Sequence, residues 1–259
     1  MLPARRHGEI IRLVRDSGVV SVDTLAAQLC VSPSTIRRDL QSLDAEGALR
    51  RVRGGAGCLT GHAADVVMGA DPVPFAEVAG VAAGDKERIA RSAAGLVEDG
   101  EVVLIDIGTT TACLAHALRG RRITVITSSL AVVDELRDDT DVELLVLGGI
   151  LRRNYLSMVG MLTEQALREM RAHRLFLGTS GIRRDGRVMD SRLVELPVKR
   201  AMMSAAEQTV VLADCGKFPG TGLLPVCGPE DVHVLVTNDG ADPATLAVCA
   251  RAGAEIRLA

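Results

Sequence analysis

The chain has 259 residues, of which 47% are hydrophobic and 24% charged, with a formal net charge of −3. This length suits a small domain joined to a medium one. No apolar run approaches the ~20 residues that cross a bilayer, and only 2% of the residues are aromatic, which argues against nucleic-acid binding by base stacking. Arg5, Arg6 and His7 precede an amphipathic pattern where a signal peptide would have an apolar core, so a cytoplasmic protein is expected.

The cysteines form no CxxC pair and have no histidines at zinc-finger spacing. The pattern therefore predicts reduced thiols, with no metal site, no disulfide framework and no cofactor. The six positions are Cys30, Cys58, Cys113, Cys215, Cys227 and Cys249.

Charge is distributed unevenly along the chain. Residues 1–60 contain 9 Arg and 6 Asp or Glu, a net charge of +3, whereas residues 61–259 contain 21 Lys or Arg and 27 Asp or Glu, a net charge of −6. Only the first segment is suited to a polyanionic partner.

Apolar residues at helical spacing predict two short helices before residue 30. Ile10, Leu13 and Val14 mark the first, which Gly18 ends. The second begins after Ser21, and a tight turn at 30–31 follows it, the spacing of a helix-turn-helix. Its apolar positions are Val22, Leu25, Ala26 and Leu29.

Residues 31–43 predict a third helix with two different faces. Ser32 suits the N-cap and Pro33 the first helical position. A stripe of Ile36, Leu40 and Leu43 faces the core. The polar residues are the expected contacts of a helix in the major groove. They are Ser34, Thr35, Arg37, Arg38 and Gln41.

Gly47 ends this helix, and residues 48–55 have the length and terminal glycines of a small hairpin. Arg50, Arg51 and Arg53 stand where a wing would contact phosphates, although a solvated basic edge is the alternative. We therefore expect a winged helix-turn-helix DNA-binding domain over residues 1–57. Residues 58–84, rich in Gly, Ala, Pro and Asp, are expected to be a linker.

Short buried strands alternate with helices over residues 85–259, which predicts a mainly parallel α/β domain covered on both faces. The predicted strands are 102–105, 123–127, 142–147, 175–177, 210–213 and 232–237. The predicted helices are 110–118, 130–136, 194–206 and 243–252.

One strand is followed by a motif suited to an oxyanion. Asp106, Gly108 and the hydroxyls of Thr109, Thr110 and Thr111 begin a helix, whose free amides and partial positive charge favour a phosphate. Asp106 would then contact sugar hydroxyls. The alternative is that Thr109 or Thr110 merely caps its own helix.

Other strand ends add candidate ligands, because open α/β sheets bind ligands beyond the carboxyl ends of their strands. Lys217 stands out because the chain has only three lysines, although a solvated lysine is the alternative. Arg152 is either part of a phosphate-binding fork or ordinary surface charge. The further candidates are Ser128, Ser129, Gly148 and Gly149.

The helix predicted at 194–206 contains Glu195, Lys199 and Arg200. A Glu–Lys pair at i,i+4 stabilises a helix locally, and this explanation is favoured over ligand contact. Asp190 either caps this helix or lines the pocket. No histidine has a partner that would form a catalytic triad, so no catalytic residue is assigned.

These motifs resemble the DeoR family of bacterial transcriptional regulators over nearly the whole chain. The similarity is carried by residues 6–14, by the string 31–40, by residues 53–56, 86–90, 106–110, 148–152 and 178–182, by Glu195 with Lys199 and Arg200, and by Lys217 with Phe218.

The resemblance implies a winged helix-turn-helix joined to a sensor domain similar to sugar-phosphate isomerases. It further implies a homodimeric or homotetrameric repressor of carbohydrate-metabolism genes, released from operator DNA by a phosphorylated sugar or related metabolite. The positions carried over as effector contacts are Asp106, Gly108, Thr109, Thr110, Gly149 and Lys217. This chain departs from the common family pattern at Ser128, His173, Arg183 and Asn238.

Two other functions compete with a regulator. One is a sugar-phosphate isomerase or deaminase with an accessory DNA-binding head, for which Asp106 or Glu195 would be the general base on position alone. The other is a metabolite-binding protein whose head contacts proteins. The basic wing disfavours the latter.

Overall fold

The computed structural model describes residues 3–17, 19–29, 31–45, 49–52, 55–57, 74–220 and 222–259. The chain divides into two compact units, Met1–Pro72 and Val73–Ala259. Three parts of the sequence predictions lie outside the described residues: Gly18, Cys30 and Gly47; Arg53 in the wing; and residues 58–73 of the expected linker.

The first unit is a helix-turn-helix with a three-stranded antiparallel sheet. Its helices are α1 (Pro3–Ser17), α2 (Val22–Leu29) and α3 (Pro33–Ala45), and its strands are β1 (Val19–Ser21), β2 (Arg50–Val52) and β3 (Gly55–Gly57), in the order β1-β3-β2. The helices pack through Ile10, Leu25, Ile36, Leu40 and Leu43, each no more than 1% exposed. The predicted stripe of α3 is therefore confirmed as core.

The sequence predicted the hairpin but not strand β1. The hairpin forms as β2 and β3, with Val52 opposite Gly55, and β1 adds to its other side through Ser21 opposite the same glycine. A Cβ atom at Gly55 would lie 2.2 Å from the Val20 carbonyl oxygen. Only glycine lets the three strands approach so closely.

The second unit is built on a seven-stranded parallel sheet. Its helices are α4 (Phe75–Gly80), α5 (Ala83–Ala94), α6 (Thr109–Ala117), α7 (Leu130–Leu136), α8 (Met161–Arg168), α9 (Leu196–Ala205) and α10 (Pro243–Arg251). The strands of the sheet are, in spatial order, β15 (Glu255–Leu258), β14 (Val234–Thr237), β12 (Ala206–Leu212), β9 (Ala172–Gly178), β4 (Val102–Ile105), β5 (Thr124–Thr127) and β6 (Glu143–Val146).

Neighbouring residues on each strand enter two separate cores. Leu175 and Leu177 pack with α8, α9 and α10 on one face, whereas Phe176 packs with α5, α6 and α7 on the other. Both faces of the sheet are covered, which confirms the predicted parallel α/β class and explains why its strands are almost continuously apolar. No described helix is long and apolar enough to span a membrane.

Two small antiparallel additions lie outside the main sheet. One is a hairpin of β7 (Ile150–Arg152) and β8 (Ser157–Val159), and the other is a sheet of β10 (Gly181–Ile182), β11 (Val188–Asp190) and β13 (Leu224–Cys227). Residues 150–152, expected in a loop after the third strand, are therefore a strand themselves. Neither addition, nor strand β15, was predicted, because these short strands lack the continuous apolar run that marks β4.

The expected linker over 58–84 was too long at its carboxyl end. Helix α4 and the start of α5 lie within it and belong to the second unit. The Phe75 amide donates to the Asn154 carbonyl at 3.0 Å, and Lys86 Nζ donates to the Val78 carbonyl at 2.5 Å. Contacts with distant residues hold this Gly- and Ala-rich segment, so local composition did not reveal its structure.

Candidate functional site

Helix α3 begins with the predicted serine cap. The Thr35 amide donates to Ser32 Oγ at 3.2 Å, and this oxygen also lies 2.8 Å from Ser34 Oγ and 2.9 Å from Thr35 Oγ1. The cap stabilises the helix start by partnering an otherwise orphan amide. The hydroxyls of Ser34 and Thr35 are thus engaged with the cap in this structure.

The side of α3 away from the core is polar and open to solvent. Ser34, Arg37, Arg38 and Gln41 are exposed and Thr35 is half-buried. The predicted separation of a packing face from a polar face is confirmed. Of the wing arginines, Arg50 and Arg51 lie on β2, but their side chains, like Arg53, are outside what the structure describes.

An ion pair that the sequence did not predict ties α3 to α1. Arg6 Nε and Nη2 donate to the two carboxylate oxygens of Asp39 at 2.6 and 3.0 Å, and His7 Nε2 lies 3.1 Å from Asp39 Oδ1. The hydrogen bonds from Arg6 hold the pKa of Asp39 below its ordinary value. Because Asp39 follows Arg37 and Arg38 directly, the pair fixes the rotation of the helix that presents them.

The polar centre of the second unit lies at the carboxyl end of β4. Asp106 is 1% exposed, and its Oδ2 accepts from the Gly178 amide at 3.0 Å and from Lys199 Nζ. Gly108, the N-cap of α6, has φ 138°, a conformation that a side chain would strain. The predicted strand–carboxylate–glycine–helix motif is therefore confirmed in its geometry.

Lys199 reaches this centre from α9 and is 2% exposed. Its Nζ also donates to the Gly178 carbonyl at 2.9 Å and lies 3.5 Å from Asp190 Oδ2. Burial alone would lower the pKa of Lys199, but the two carboxylates raise it above the ordinary value, so the ammonium stays charged. The favoured explanation of Lys199, an i,i+4 pair with Glu195, is wrong, because Asp106 from another element supplies the counter-charge.

Glu195, at the N-cap of α9, forms a second buried ion pair. Its Oε1 accepts from Arg152 Nη1 and from Ser157 Oγ, the latter at 2.8 Å. Arg152 is 7% exposed, so the alternative of ordinary surface charge is wrong. Its guanidinium contacts a carboxylate, which limits its use as a phosphate fork to states in which that contact changes.

Several buried polar atoms of the described residues have no hydrogen-bond partner. They are Asp106 Oδ1, Ser128 Oγ, Glu195 Oε2 and Thr237 Oγ1. Asp106 and Ser128 directly follow the paired residues Ile105 and Thr127 of adjacent strands. Strands lie about 4.8 Å apart, so a ligand can contact both. A buried polar atom without a partner costs about 1–3 kcal/mol, which indicates that something polar completes this site.

The hairpin β7–β8 brings the two ion pairs into one cluster. The Met158 amide donates to the Ser128 carbonyl at 2.8 Å, and Ser129 forms a β-bridge with Ser157, the residue that contacts Glu195. We call this cluster the buried site. Its residues are Asp106, Ser128, Arg152, Ser157, Asp190, Glu195 and Lys199.

Two predicted effector residues have a structural role, and their part in effector binding stays a prediction. Thr111 Oγ1 donates to the Gly108 carbonyl at 2.9 Å, and Ser129 Oγ caps α7 by accepting from the Val132 amide at 3.4 Å. Both hydroxyls form hydrogen bonds with backbone groups at the starts of helices. Thr109 is buried and Thr110 half-buried at the start of α6, beside Asp106.

Packing explains the glycine at position 149 but not the one at 148, where a Cβ atom would meet nothing within 4 Å. The Gly148 carbonyl accepts from Thr163 Oγ1 at 2.7 Å. A Cβ atom at Gly149 would lie 2.3 Å from the same hydroxyl and 2.7 Å from the Val159 carbonyl oxygen. Close contact with α8 and β8 therefore requires a glycine at position 149.

Lys217 lies in a short 3-10 helix, Cys215–Lys217, that follows β12. Asp214 caps this helix, and Asn238 Oδ1 accepts from the Cys215 amide at 2.8 Å. Lys217 is half-buried. Only strand β9 lies between β12, which leads into this helix, and β4 in the sheet order, so Lys217 lies to one side of the cluster around Asp106.

Lys86 is one of the three lysines of the chain, and no role was assigned to it from the sequence. It is 4% exposed on α5, and burial lowers its pKa, with Asp214 opposing and Lys217 reinforcing that shift. All three lysines of the chain thus lie at or beside the carboxyl end of the sheet. Their scarcity was the signal that would have identified Lys86 and Lys199 together.

Comparison with known proteins agrees with this architecture. The DeoR-like helix-turn-helix domain matches residues 6–61, and the DeoR C terminal sensor domain matches residues 82–239. The chain belongs to the DeoR family. Its relatives are named as transcriptional regulators, and the buried site falls within the sensor domain.

Similar proteins include the glycerol-3-phosphate regulon repressors of Haemophilus influenzae, at 34% identity over 92% of this chain and 91% of that protein, and of Escherichia coli, at 32% over 92% of each. The transcriptional repressor AccR of Agrobacterium fabrum is 33% identical over 91% of this chain and 89% of its own. Ribose 5-phosphate isomerase A of Methanocaldococcus jannaschii aligns with 51% of this chain and 52% of its own at 18% identity, with a TM-score of 0.38.

Proposed function

We propose that this DeoR-family protein represses carbohydrate-metabolism genes and leaves its operator when a phosphorylated sugar or a related metabolite binds the sensor domain. The observation that carries the proposal is the pair of unpartnered buried atoms, Asp106 Oδ1 and Ser128 Oγ, on adjacent strands. A carboxylate oxygen accepts a hydrogen bond from a sugar hydroxyl, and a serine hydroxyl can both donate and accept hydrogen bonds. Together they suit a polyol.

The phosphate group has its own candidate subsite. The start of α6, at Gly108, Thr109 and Thr110, follows Asp106 directly, and the N-terminus of a helix favours an anion. Lys217 supplies a cation beside it. A ligand with hydroxyls at Asp106 and Ser128 and a phosphate at α6 would be a small sugar phosphate, consistent with relatives that are named for the glycerol-3-phosphate regulon.

The DNA-contacting surface is proposed to be the polar face of α3 together with the wing. Its exposed Arg37 and Arg38 carry positive charge, while Asp39 is buried in its pair with Arg6. Arginines contact guanine edges or phosphates, and the face serves either purpose. The proposed contacts are Ser34, Thr35, Arg37, Arg38, Gln41, Arg50, Arg51 and Arg53.

We assign the protein no enzymatic activity. The assignment follows the relatives, which are named as transcriptional regulators. The two residues that could be a general base on position alone, Asp106 and Glu195, are each buried in an ion pair. Turnover of pentose or hexose phosphates by the purified protein, abolished in Asp106→Asn, would instead establish the isomerase or deaminase alternative.

The proposed regulator is a homodimer or homotetramer, because paired recognition helices match paired half-sites. We propose that exposed apolar residues on and beside edge strand β6 contact a second copy of the chain, since large exposed apolar patches usually mark interfaces. These residues are Leu145, Val146, Ile150, Leu151, Met161 and Leu162. Sedimentation of the wild type and of Ile150→Asp tests it, and a monomeric wild type would contradict it.

One experiment tests the function as a whole. Duplexes are selected from a random pool by the full chain, and their release is titrated with glycerol 3-phosphate, ribose 5-phosphate, glycerol, ribose and inorganic phosphate. Release by a sugar phosphate, and not by its unphosphorylated form, is expected. Release by none of the phosphorylated compounds, despite selective DNA binding, would remove the proposed effector class. Absence of selective binding would remove the regulator.

A further inference from the structure

Helix α4 is held to the second unit by few contacts. It has six residues, none of them buried, so little apolar surface stabilises its position. It is also the first helix that the structure describes after the DNA-binding unit in chain order. A marginally held element at this place is suited to change its attachment.

Two described attachments outside its own segment hold α4, which also contacts α6. In the first, Lys86 Nζ donates to the Val78 carbonyl at 2.5 Å. In the second, the Phe75 amide donates to the Asn154 carbonyl at 3.0 Å, and the rings of Phe75 and Tyr155 meet edge to face with centroids 5.8 Å apart.

The second attachment connects directly to the buried site. Asn154 and Tyr155 form the turn between β7 and β8. At the end of β7, Arg152 lies 5.8 Å from the Tyr155 ring centroid and pairs with Glu195. At the start of β8, Ser157 donates to the same carboxylate. A ligand that alters the bonding of Glu195 therefore acts on the turn that holds Phe75.

The first attachment lies near the proposed phosphate subsite at the start of α6. Lys86 lies on α5, which packs against α6, the helix whose start follows Asp106. Lys86 is a buried cation whose described hydrogen bond is to a backbone carbonyl; burial lowers its pKa, the nearby Asp214 opposes that shift and Lys217 adds to it. An anion arriving near both lysines offers Lys86 a stronger partner than a neutral carbonyl, because charge-assisted hydrogen bonds are stronger.

The connection between α4 and α5 has the features of a hinge. Ala82 has φ 51°, a left-handed conformation that costs energy for a residue other than glycine. The adjacent Val81 is 67% exposed. A groove of about 840 Å³, lined by Phe75 and Ala79 on one side and by α6 on the other, leaves α4 room to move.

We propose that α4 is a latch that transmits occupancy of the buried site to the chain leading to the DNA-binding unit. The inference rests on the proposed function. Without effector, Lys86 and the β7–β8 turn hold α4, and this latched state binds operator. An anionic effector attracts Lys86 and Arg152. The hydrogen bond from Lys86 to Val78 and the Arg152–Glu195 pair are thereby weakened, and α4 is released. Because the latched state binds operator and the open state binds effector, a change that favours the open state must weaken DNA binding and tighten effector binding.

Phe75→Ala in the full chain tests the latch, with Leu258→Ala, an exposed apolar residue of β15 outside the latch, as the control. The probes are a duplex selected by the wild type and glycerol 3-phosphate. Relative to wild type, Phe75→Ala is expected to bind the duplex about fivefold more weakly without ligand, the lower end of typical coupling, and to bind the ligand more tightly. In Phe75→Ala, glycerol 3-phosphate should change the affinity for the duplex by no more than about twofold. A wild-type response in Phe75→Ala would overturn the proposal.

Hydrogen exchange gives a readout that needs neither DNA nor ligand. Amides of residues 75–81 are expected to exchange faster in Glu195→Gln and in Lys86→Met than in wild type, while amides of α10 stay unchanged. The two variants alter different attachments of α4, so the test remains possible if one of them fails to fold. Unchanged exchange at 75–81 in folded samples of either variant would disconnect α4 from the buried site, even if the wild type proves to be an effector-responsive repressor. Faster exchange in both would support the latch even if no effector from the panel acts.

Discussion

Lys199 and Asp106 are 93 positions apart in sequence, yet they form an ion pair at the centre of the sensor domain with both side chains no more than 2% exposed. The pair joins α9 to the end of β4. Gly178 completes it by donating its amide to Asp106 and accepting from Lys199. Three elements therefore meet at one buried charge pair.

Lys199→Met is expected to destabilise the second unit by about 3–5 kcal/mol, because it leaves buried carboxylates without their cation. Urea unfolding followed by circular dichroism measures the change. Arg251→Met, on the exposed side of α10, is the control for substitution of a helical cation. The double variant Lys199→Met, Asp106→Asn should recover part of the loss, and a strictly additive double variant would argue against the pairing.

Arg38→Ala is expected to weaken binding to the selected duplex by about 1–3 kcal/mol while leaving effector affinity unchanged. The side chain is exposed on α3 and belongs to the unit that lacks the buried site. Fluorescence anisotropy at a fixed salt concentration measures the affinity for the duplex, and calorimetry measures the affinity for the effector. Equal duplex affinity in Arg38→Ala and in Arg183→Ala, an exposed arginine of the second unit, would exclude Arg38 from the DNA-contacting face.

Lys217→Ala is expected to weaken binding of a phosphorylated effector about tenfold, the scale of a hydrogen bond to a charged group. The loss should vanish for the unphosphorylated sugar, since only the phosphate would contact the lysine. Calorimetric titration with each compound gives the comparison. A dose response for the phosphorylated compound identical to wild type would remove Lys217 from the effector site.

The Arg6–Asp39 pair predicts a dependence of stability on pH. Because Arg6 depresses the pKa of Asp39 in the folded chain, the contribution of the pair is present above the ordinary pKa of aspartate. It is lost as pH falls through the depressed folded value. The unfolding free energy of the first unit should therefore fall less steeply below about pH 4 in Asp39→Asn than in wild type. Parallel curves for the two proteins would contradict this assignment.

Gly149→Ala and Gly148→Ala form a matched pair. A Cβ atom at Gly149 meets Thr163 Oγ1 and the Val159 carbonyl oxygen, whereas at Gly148 it meets nothing within 4 Å. Overpacking costs about 1–3 kcal/mol, so only the change at position 149 should lower the melting temperature appreciably. Similar melting temperatures for the two variants would show that this region relaxes around the added methyl group.

The sequence alone was sufficient wherever a pattern is local. Helical spacing of Ile36, Leu40 and Leu43 gave the buried face of α3 and hence its polar face, because every third or fourth residue of a helix shares one side. Strands β4 and β5 and the carboxylate–glycine motif at Asp106 were predicted for the same reason. Their apolar runs and turn residues are continuous in the chain.

Tertiary structure decided the partners of the charged groups. Neighbouring positions suggested that Lys199 pairs with Glu195, but packing gives Lys199 to Asp106 and Glu195 to Arg152. Helix α4 likewise lies in a segment whose composition suggests a linker, and it is held by residues that follow it by up to 80 positions. A buried charge is stabilised only by the group that faces it, and which group faces it depends on how distant elements pack.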